Sequence, residues 1–299
     1  MKKSFLSFAT MALLAIGAHA QMAQQMEQYF ASQLTGTVGG TEINLWTDQT
    51  LPSNGIDYNN LPANSIESSP KCEIFVPKSE KPVPVVIVCP GGGYMMTAYF
   101  HEGYAWHNFF EHQGIATVLL NYRMPHGNHL VPASDVYACI RYLKAHAKEL
   151  NIDPNQIGVM GSSAGGHLAS TVATHASDDV RPAFQILFYP VITMDASFTH
   201  QGSRENLLGK NPSDEMVRLY SNELQVTEKT PKAFIVLTAD DTTVPPLNSA
   251  RYYAALCEKG VPAVMHVYPV GEHGFGIYDS FPYHAQMMQE LETWLKTIF

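Results

Sequence analysis

The chain has 299 residues, 45% of them hydrophobic, which suits one large α/β domain or two small ones with a core that needs no disulfide or metal to hold it. Its net charge of −9 argues against a nucleic-acid or anionic-membrane surface.

The first twenty residues have the layout of a signal peptide. Lys2 and Lys3 form a basic start, residues 5–17 are apolar, and Ala18-His19-Ala20 is a small-x-small cleavage site. Cleavage after Ala20 predicts a secreted or periplasmic protein. The apolar run is short for spanning a bilayer, and no later run is long enough, so no membrane span is expected after cleavage. Residues 21–68 are mixed and are expected to pack on the core as an N-terminal segment. They include a short helix over 22–34, an edge strand over 44–46 and turn-rich stretches at 52–55 and 58–60.

From Lys71 the pattern becomes regular, and residues 69–299 are expected to form the main domain. Strands are predicted over 72–76, 83–89, 115–122 and 156–160, with helices over 104–113 and 136–150 and a turn at 151–155. The run 83–89 is apolar throughout and rich in valine, as in a strand covered on both faces. A helix follows the fourth strand at Gly166. The next strand is 184–189. Residues 194–231 interrupt the alternation with a polar stretch containing short helices near 204–208 and 213–223, placed where it could cover a site as a lid. Strands at 233–238 and 263–268 and helices at 247–259 and 283–299 complete the chain. Strands alternating with helices predict a mostly parallel sheet with helices on both faces.

The chemistry is concentrated in the turns that follow core strands, where open α/β sheets place their sites. Gly161-Ser162-Ser163-Ala164-Gly165 lies between a strand and a helix. A turn that sharp crowds the residues two before and two after its apex, and glycines there leave Ser163 as the apex. Ser162 is a weaker choice, because bulky Met160 would stand two residues before it. A serine hydroxyl needs a base to take its proton and a third group to orient that base. After strand 233–238 come Asp240 and Asp241. Asp241 is the preferred orienting carboxylate, and Asp240 is expected to support the turn. After strand 263–268 comes His273, flanked by Glu272 and Gly274, as the candidate base. His167, four residues beyond Ser163 on the following helix, is a rival base that would point along the helix. The order Ser, Asp, His suits this topology. Pro90-Gly91-Gly92-Gly93 offers a loop without side chains, and the N–H groups of Gly92, Gly93 and Ala164 are the candidate oxyanion donors. Tyr94, Tyr99, Phe100, His101 and Glu102 follow that loop, either lining a pocket or packing.

No cofactor or metal site is expected. Cys72, Cys89, Cys139 and Cys257 match no metal spacing and read as small buried thiols.

The segments Cys89–Tyr94, Asn151–Leu168, Thr238–Pro245 and Gly271–Gly276 together resemble the α/β-hydrolase superfamily. Within it they are similar to secreted bacterial esterases described as acetylxylan-esterase-like or feruloyl-esterase-like. Many of those relatives carry glycine where Glu272 stands, and Pro90 replaces the histidine that opens the glycine loop of the lipase-like branch. The resemblance implies hydrolysis of short acyl esters, acetyl groups on plant polysaccharide first among them, with an acylated carbohydrate or other small ester as partner. A feruloyl or general carboxylesterase is the nearest alternative. An exopeptidase of the prolyl-oligopeptidase type, or a hydrolase fold kept only for binding, stands further off.

Overall fold

Residues 40–46, 50–61 and 69–299 are described by a computed structural model. The signal peptide expected over 1–20 and the helix expected over 22–34 lie outside the described residues.

Among the described residues, eight strands form one sheet in the order β1-β2-β4-β3-β5-β6-β7-β8. They are β1 (Thr41–Ile43), β2 (Lys71–Phe75), β3 (Val83–Cys89), β4 (Ala116–Asn121), β5 (Ile152–Ser162), β6 (Phe184–Phe188), β7 (Lys232–Thr238) and β8 (Ala263–Tyr268). Only β1 and β2 run antiparallel to their neighbours; the pairs from β4 through β8 are parallel. The central strands are apolar because helices cover both of their faces. Every residue of β4 and β6 is buried. Pro84 has no N–H to give to a ladder, and the register between β3 and β5 shifts at that point, between Val83 and Val85.

The helices are α1 (His107–His112), α2 (Leu130–Ala145), α3 (Ser163–His175), α4 (Gln201–Leu208), α5 (Asp214–Tyr220), α6 (Leu247–Glu258) and α7 (His284–Ile298). Large side chains fill the layers between sheet and helices. Trp106 and Phe110 pack near Phe188, and Trp294 of α7 meets Phe184 and Phe234; Phe184 and Phe188, four residues apart on β6, lie on the same face of the sheet.

Several elements differ from their sequence expectation. The edge strand lies at Thr41–Ile43 rather than 44–46. The helix expected from 136 begins at Leu130, with Pro132 in its first turn, where no backbone N–H is required. The expected turn at 151–155 is instead the start of β5. The turn lies over residues 146–151 and ends at Asn151, whose φ is 53° and whose side chain bonds to the carbonyls of Ser79 and Lys81. Cys72, Cys89 and Cys139 are buried free thiols as expected, whereas Cys257, near the end of α6, is exposed.

Candidate active site

The carboxyl ends of β3, β5, β6, β7 and β8 face one region, and each contributes a loop to it. The turn from β5 into α3 carries Ser163. Its glycines are fixed by space. A Cβ at Gly161 would lie 2.0 Å from the Gly165 carbonyl oxygen, and one at Gly165 would lie 2.0 Å from that of Cys89. Ser163 itself sits in the left-handed region at φ 53°, a conformation that costs a non-glycine residue about 1–3 kcal/mol and is typical of a nucleophile elbow. It begins α3, so the next amide, that of Ala164, lies in the first turn, where helical N–H groups have no carbonyl partner within the helix.

His273, in the loop after β8, accepts the Ser163 hydroxyl on Nε2 at 2.9 Å and donates from Nδ1 to Asp241 Oδ2 at 2.7 Å. This tautomer follows from the carboxylate, which can only accept. Asp241 is buried, and its Oδ1 accepts the N–H groups of Thr243 and Val244 at 2.9 and 2.8 Å. Both carboxylate oxygens are therefore held in place. The His273 side chain keeps 17% of its surface exposed, so a substrate can reach the imidazole.

Asp240 plays a different part. Its oxygens accept the N–H groups of Gly271 and Glu272 at 3.1 and 2.9 Å, which ties the turn after β7 to the base loop. The Glu272 N–H bond is the main reason the Asp240 carboxyl is held below its ordinary pKa. Glu272 has a φ of 55°, and its carbonyl accepts the Thr238 hydroxyl at 2.7 Å. A left-handed backbone at this position is one that glycine adopts at least cost, so Glu272 is held there under some strain.

The glycine loop lies against Ser163. A Cβ on Gly91 would come within 2.9 Å of the Ser163 Cβ. Gly92, at φ 122°, has the Met96 carbonyl oxygen where its Cβ would stand, 2.2 Å away. The three glycine carbonyls are all occupied. That of Gly91 accepts from Ala98 N–H, that of Gly92 from the N–H groups of Met95 and Met96, and that of Gly93 from Asn206 Nδ2 at 2.8 Å. The Gly91 N–H is taken by Glu102 at 2.7 Å. Among the described residues, none accepts from the N–H of Gly92 or Gly93.

His167 is buried away from the hydroxyl. Its Nδ1 meets Tyr94 OH at 2.9 Å and its Nε2 the Tyr220 carbonyl at 2.8 Å. Tyr94 therefore packs under the loop rather than lining an opening, and Tyr99 donates its hydroxyl to Glu73.

Sequence reasoning passed over three residues here. Asn206, on α4, anchors Gly93 as described. His200, the N-cap of α4, accepts the Ser203 N–H, and its Cε1 would lie 3.7 Å from a Cβ on Gly93. Burial, and then the nearby His273, hold its pKa below the ordinary value. Tyr189, just past β6, packs its ring edge-on to His273 with centroids 4.7 Å apart. The segment 194–231 thus supplies the site with a wall through α4. It is held to α3 by Asn222, whose Nδ2 donates to the His167 carbonyl and to the hydroxyls of Ser170 and Thr171.

No group of three or more His, Cys, Asp or Glu side chains among the described residues is arranged to hold a metal ion. No helix among them is long and apolar enough to cross a membrane.

Comparison with known proteins gives three findings. The BD-FAE family profile matches residues 72–256. An acetylxylan esterase from Xylanibacter ruminicola is 42% identical over 228 residues, covering 75% of this chain and 47% of that protein; endo-1,4-beta-xylanase B from Butyrivibrio fibrisolvens is 37% identical over 207 residues, covering 64% of this chain and 32% of that protein. This chain therefore spans about half of the first relative and about a third of the second. The crystal structure of an acetyl ester-xyloside bifunctional hydrolase from Caldicellulosiruptor lactoaceticus superposes with a TM-score of 0.78 at 38% identity, covering 88% of this chain and 98% of that one.

Proposed function

The chain belongs to the BD-FAE family of α/β hydrolases, and on that premise we propose that it is an exported serine esterase that removes short acyl groups, acetyl above all, from xylan-derived carbohydrate. The observation that carries the reading is the continuous relay from the Ser163 hydroxyl through His273 to the buried Asp241, at 2.9 and 2.7 Å. Similarity to an acetylxylan esterase and to a xylanase supports the choice of substrate, and the leader-like residues 1–20 support export.

The chemistry follows from the geometry. Ser163 Oγ attacks the ester carbonyl as its proton passes to His273 Nε2. The carbonyl oxygen takes up the electron pair and becomes an oxyanion, with the Gly92, Gly93 and Ala164 N–H groups as its donors. Asp241 stabilises the imidazolium and keeps Nε2 directed at the serine. The tetrahedral species collapses. The bond to the leaving alcohol breaks, and that alcohol takes the proton from His273. A water molecule then gives a proton to His273 as its oxygen attacks the acyl carbon; the bond from that carbon to Ser163 Oγ breaks, Oγ takes the proton back from His273, and the acid is released. No step needs a cofactor.

The test of substrate class is a p-nitrophenyl ester series from acetyl to octanoyl, followed by acetate release from acetylated xylan. The expected outcome is that kcat/KM is highest for acetyl and falls by at least about tenfold by octanoyl, as a small acyl pocket requires, with acetate released from the polymer. A preference for long chains or for feruloyl esters would replace acetyl by that acyl group. Cleavage of aminoacyl amides with no ester turnover would contradict the esterase reading.

A further inference from the structure

Glu102 lies beneath the candidate site in a loop with no regular structure, and it is buried to 3% exposure. A buried carboxylate is costly unless its oxygens are paired. Here each oxygen has a donor from a different part of the site. Oε2 accepts the Gly91 N–H at 2.7 Å, and Oε1 accepts the Tyr189 hydroxyl at 2.7 Å, with His101 Nε2 a further 4.0 Å from Oε1. The chain of bonds continues, because the Tyr189 oxygen accepts the Gly276 N–H at 3.0 Å. One end of this chain is the glycine loop after β3, and the other is the loop after β8 that carries His273. Tyr189 also holds a left-handed backbone at φ 35° while its ring packs on His273 and Phe275. A strained tyrosine fixed at both its ring and its hydroxyl acts as a spacer.

We propose that Glu102 is a positioning residue that holds the oxyanion donors and the base in one register. It fixes the Gly91 amide, and through it the direction of the next two N–H groups. Through Tyr189 and Gly276 it fixes the far side of the base loop. Glu102 touches neither substrate nor reacting atoms; its effect falls on the barrier to acyl transfer rather than on substrate binding. The inference rests on the reading of Ser163 as nucleophile.

The experiment is steady-state hydrolysis of p-nitrophenyl acetate by the full chain carrying Glu102→Leu, Glu102→Gln, Tyr189→Phe or the double change Glu102→Gln/Tyr189→Phe, with folding checked by near-ultraviolet circular dichroism. Misdirected oxyanion donors cost rate, so Glu102→Leu is expected to lower kcat by about tenfold or more while KM stays within about twofold. Glu102→Gln keeps an acceptor for the Gly91 N–H and is expected to recover part of that loss. Because Glu102 and Tyr189 act through one chain of bonds, the double variant is expected to lose no more than the worse single one. If Glu102→Leu does not fold, Glu102→Gln and Tyr189→Phe decide, each expected to lower kcat by about threefold or more with KM nearly unchanged. A folded Glu102→Leu with kcat within about twofold of the parent, a loss confined to KM, or additive effects of the two sites would overturn the inference. Ser163→Ala run alongside separates the two failures. Full turnover in Ser163→Ala removes the nucleophile reading and this inference with it. An inactive Ser163→Ala beside unaffected Glu102 variants removes this inference alone.

Discussion

His167 lies four residues beyond Ser163 on α3, fully buried, with Tyr94 on one ring nitrogen and the Tyr220 carbonyl on the other. Burial pushes its pKa from 6.5 down to about 4, and His175 adds a smaller push the same way, against the Tyr220 carbonyl. The folded protein therefore resists a proton that the unfolded chain takes up readily. Between pH 6.5 and 4 the unfolded state binds more protons, so the stability held above pH 6.5 is lost as pH falls through that range. The size of this loss is on the order of 3 kcal/mol. Urea unfolding across that range tests it: the parent is expected to weaken with acid more steeply than His167→Gln, and equal slopes would show that His167 is not the group responsible. Ser163, Asp241 and His273 were each visible in the sequence because each follows a recognisable core strand. Glu102 was visible only as one residue of a stretch that reads equally as pocket or packing. A glutamate in an irregular loop normally signals solvent, and only its isolation as the single charge between Tyr99 and Trp106 hints otherwise. The partner that explains it, Tyr189, lies 87 residues away.

The elbow shows what an element demands of its sequence. β5 and α3 pack so closely that a methyl group at Gly161 meets a backbone carbonyl, not a side chain that could turn aside. Gly161→Ala is expected to cost about 2–3 kcal/mol or more, because backbone has to move to relieve the overlap. A urea midpoint unchanged from the parent would contradict that packing. Space around Gly161 was legible from the motif, as were β3 and β5 to β8 from their apolar runs. Two elements were less legible, for local reasons. β1 has only three residues, two of them exposed, and carries no alternation to read. The first turn of α2 contains Pro132 and begins at an exposed Leu130 whose N–H is capped by Asn128 Oδ1, so the apolar repeat shows itself only later.

At the scale of the whole molecule, the sheet delivers loops to one end of its parallel strands, the carboxyl end. The glycine loop after β3, Ser163 after β5, Tyr189 after β6, Asp241 after β7 and His273 after β8 meet there, although the outer members of the relay lie 110 residues apart in the chain. Just past the carboxyl end of β4, beside the glycine loop, the N-terminal segment is held by Arg123. Its guanidinium bridges the buried Asp135 of α2 and the Pro52 carbonyl, while Asn54 bonds to the Met124 carbonyl. Burial raises the Asp135 pKa, and Arg123 opposes that rise. Convergence of the loops matters only if the hydroxyl at their meeting point is the nucleophile, and covalent trapping asks this directly. The full chain is treated with a fluorophosphonate and analysed by intact mass and peptide mapping, beside Ser163→Ala. The account predicts one adduct per chain, on the peptide containing Ser163, with loss of ester hydrolysis in step with labelling; the variant takes no label and loses at least about a thousandfold in kcat. An adduct on another residue, or a Ser163→Ala protein that still hydrolyses p-nitrophenyl acetate at the parental rate, would contradict it.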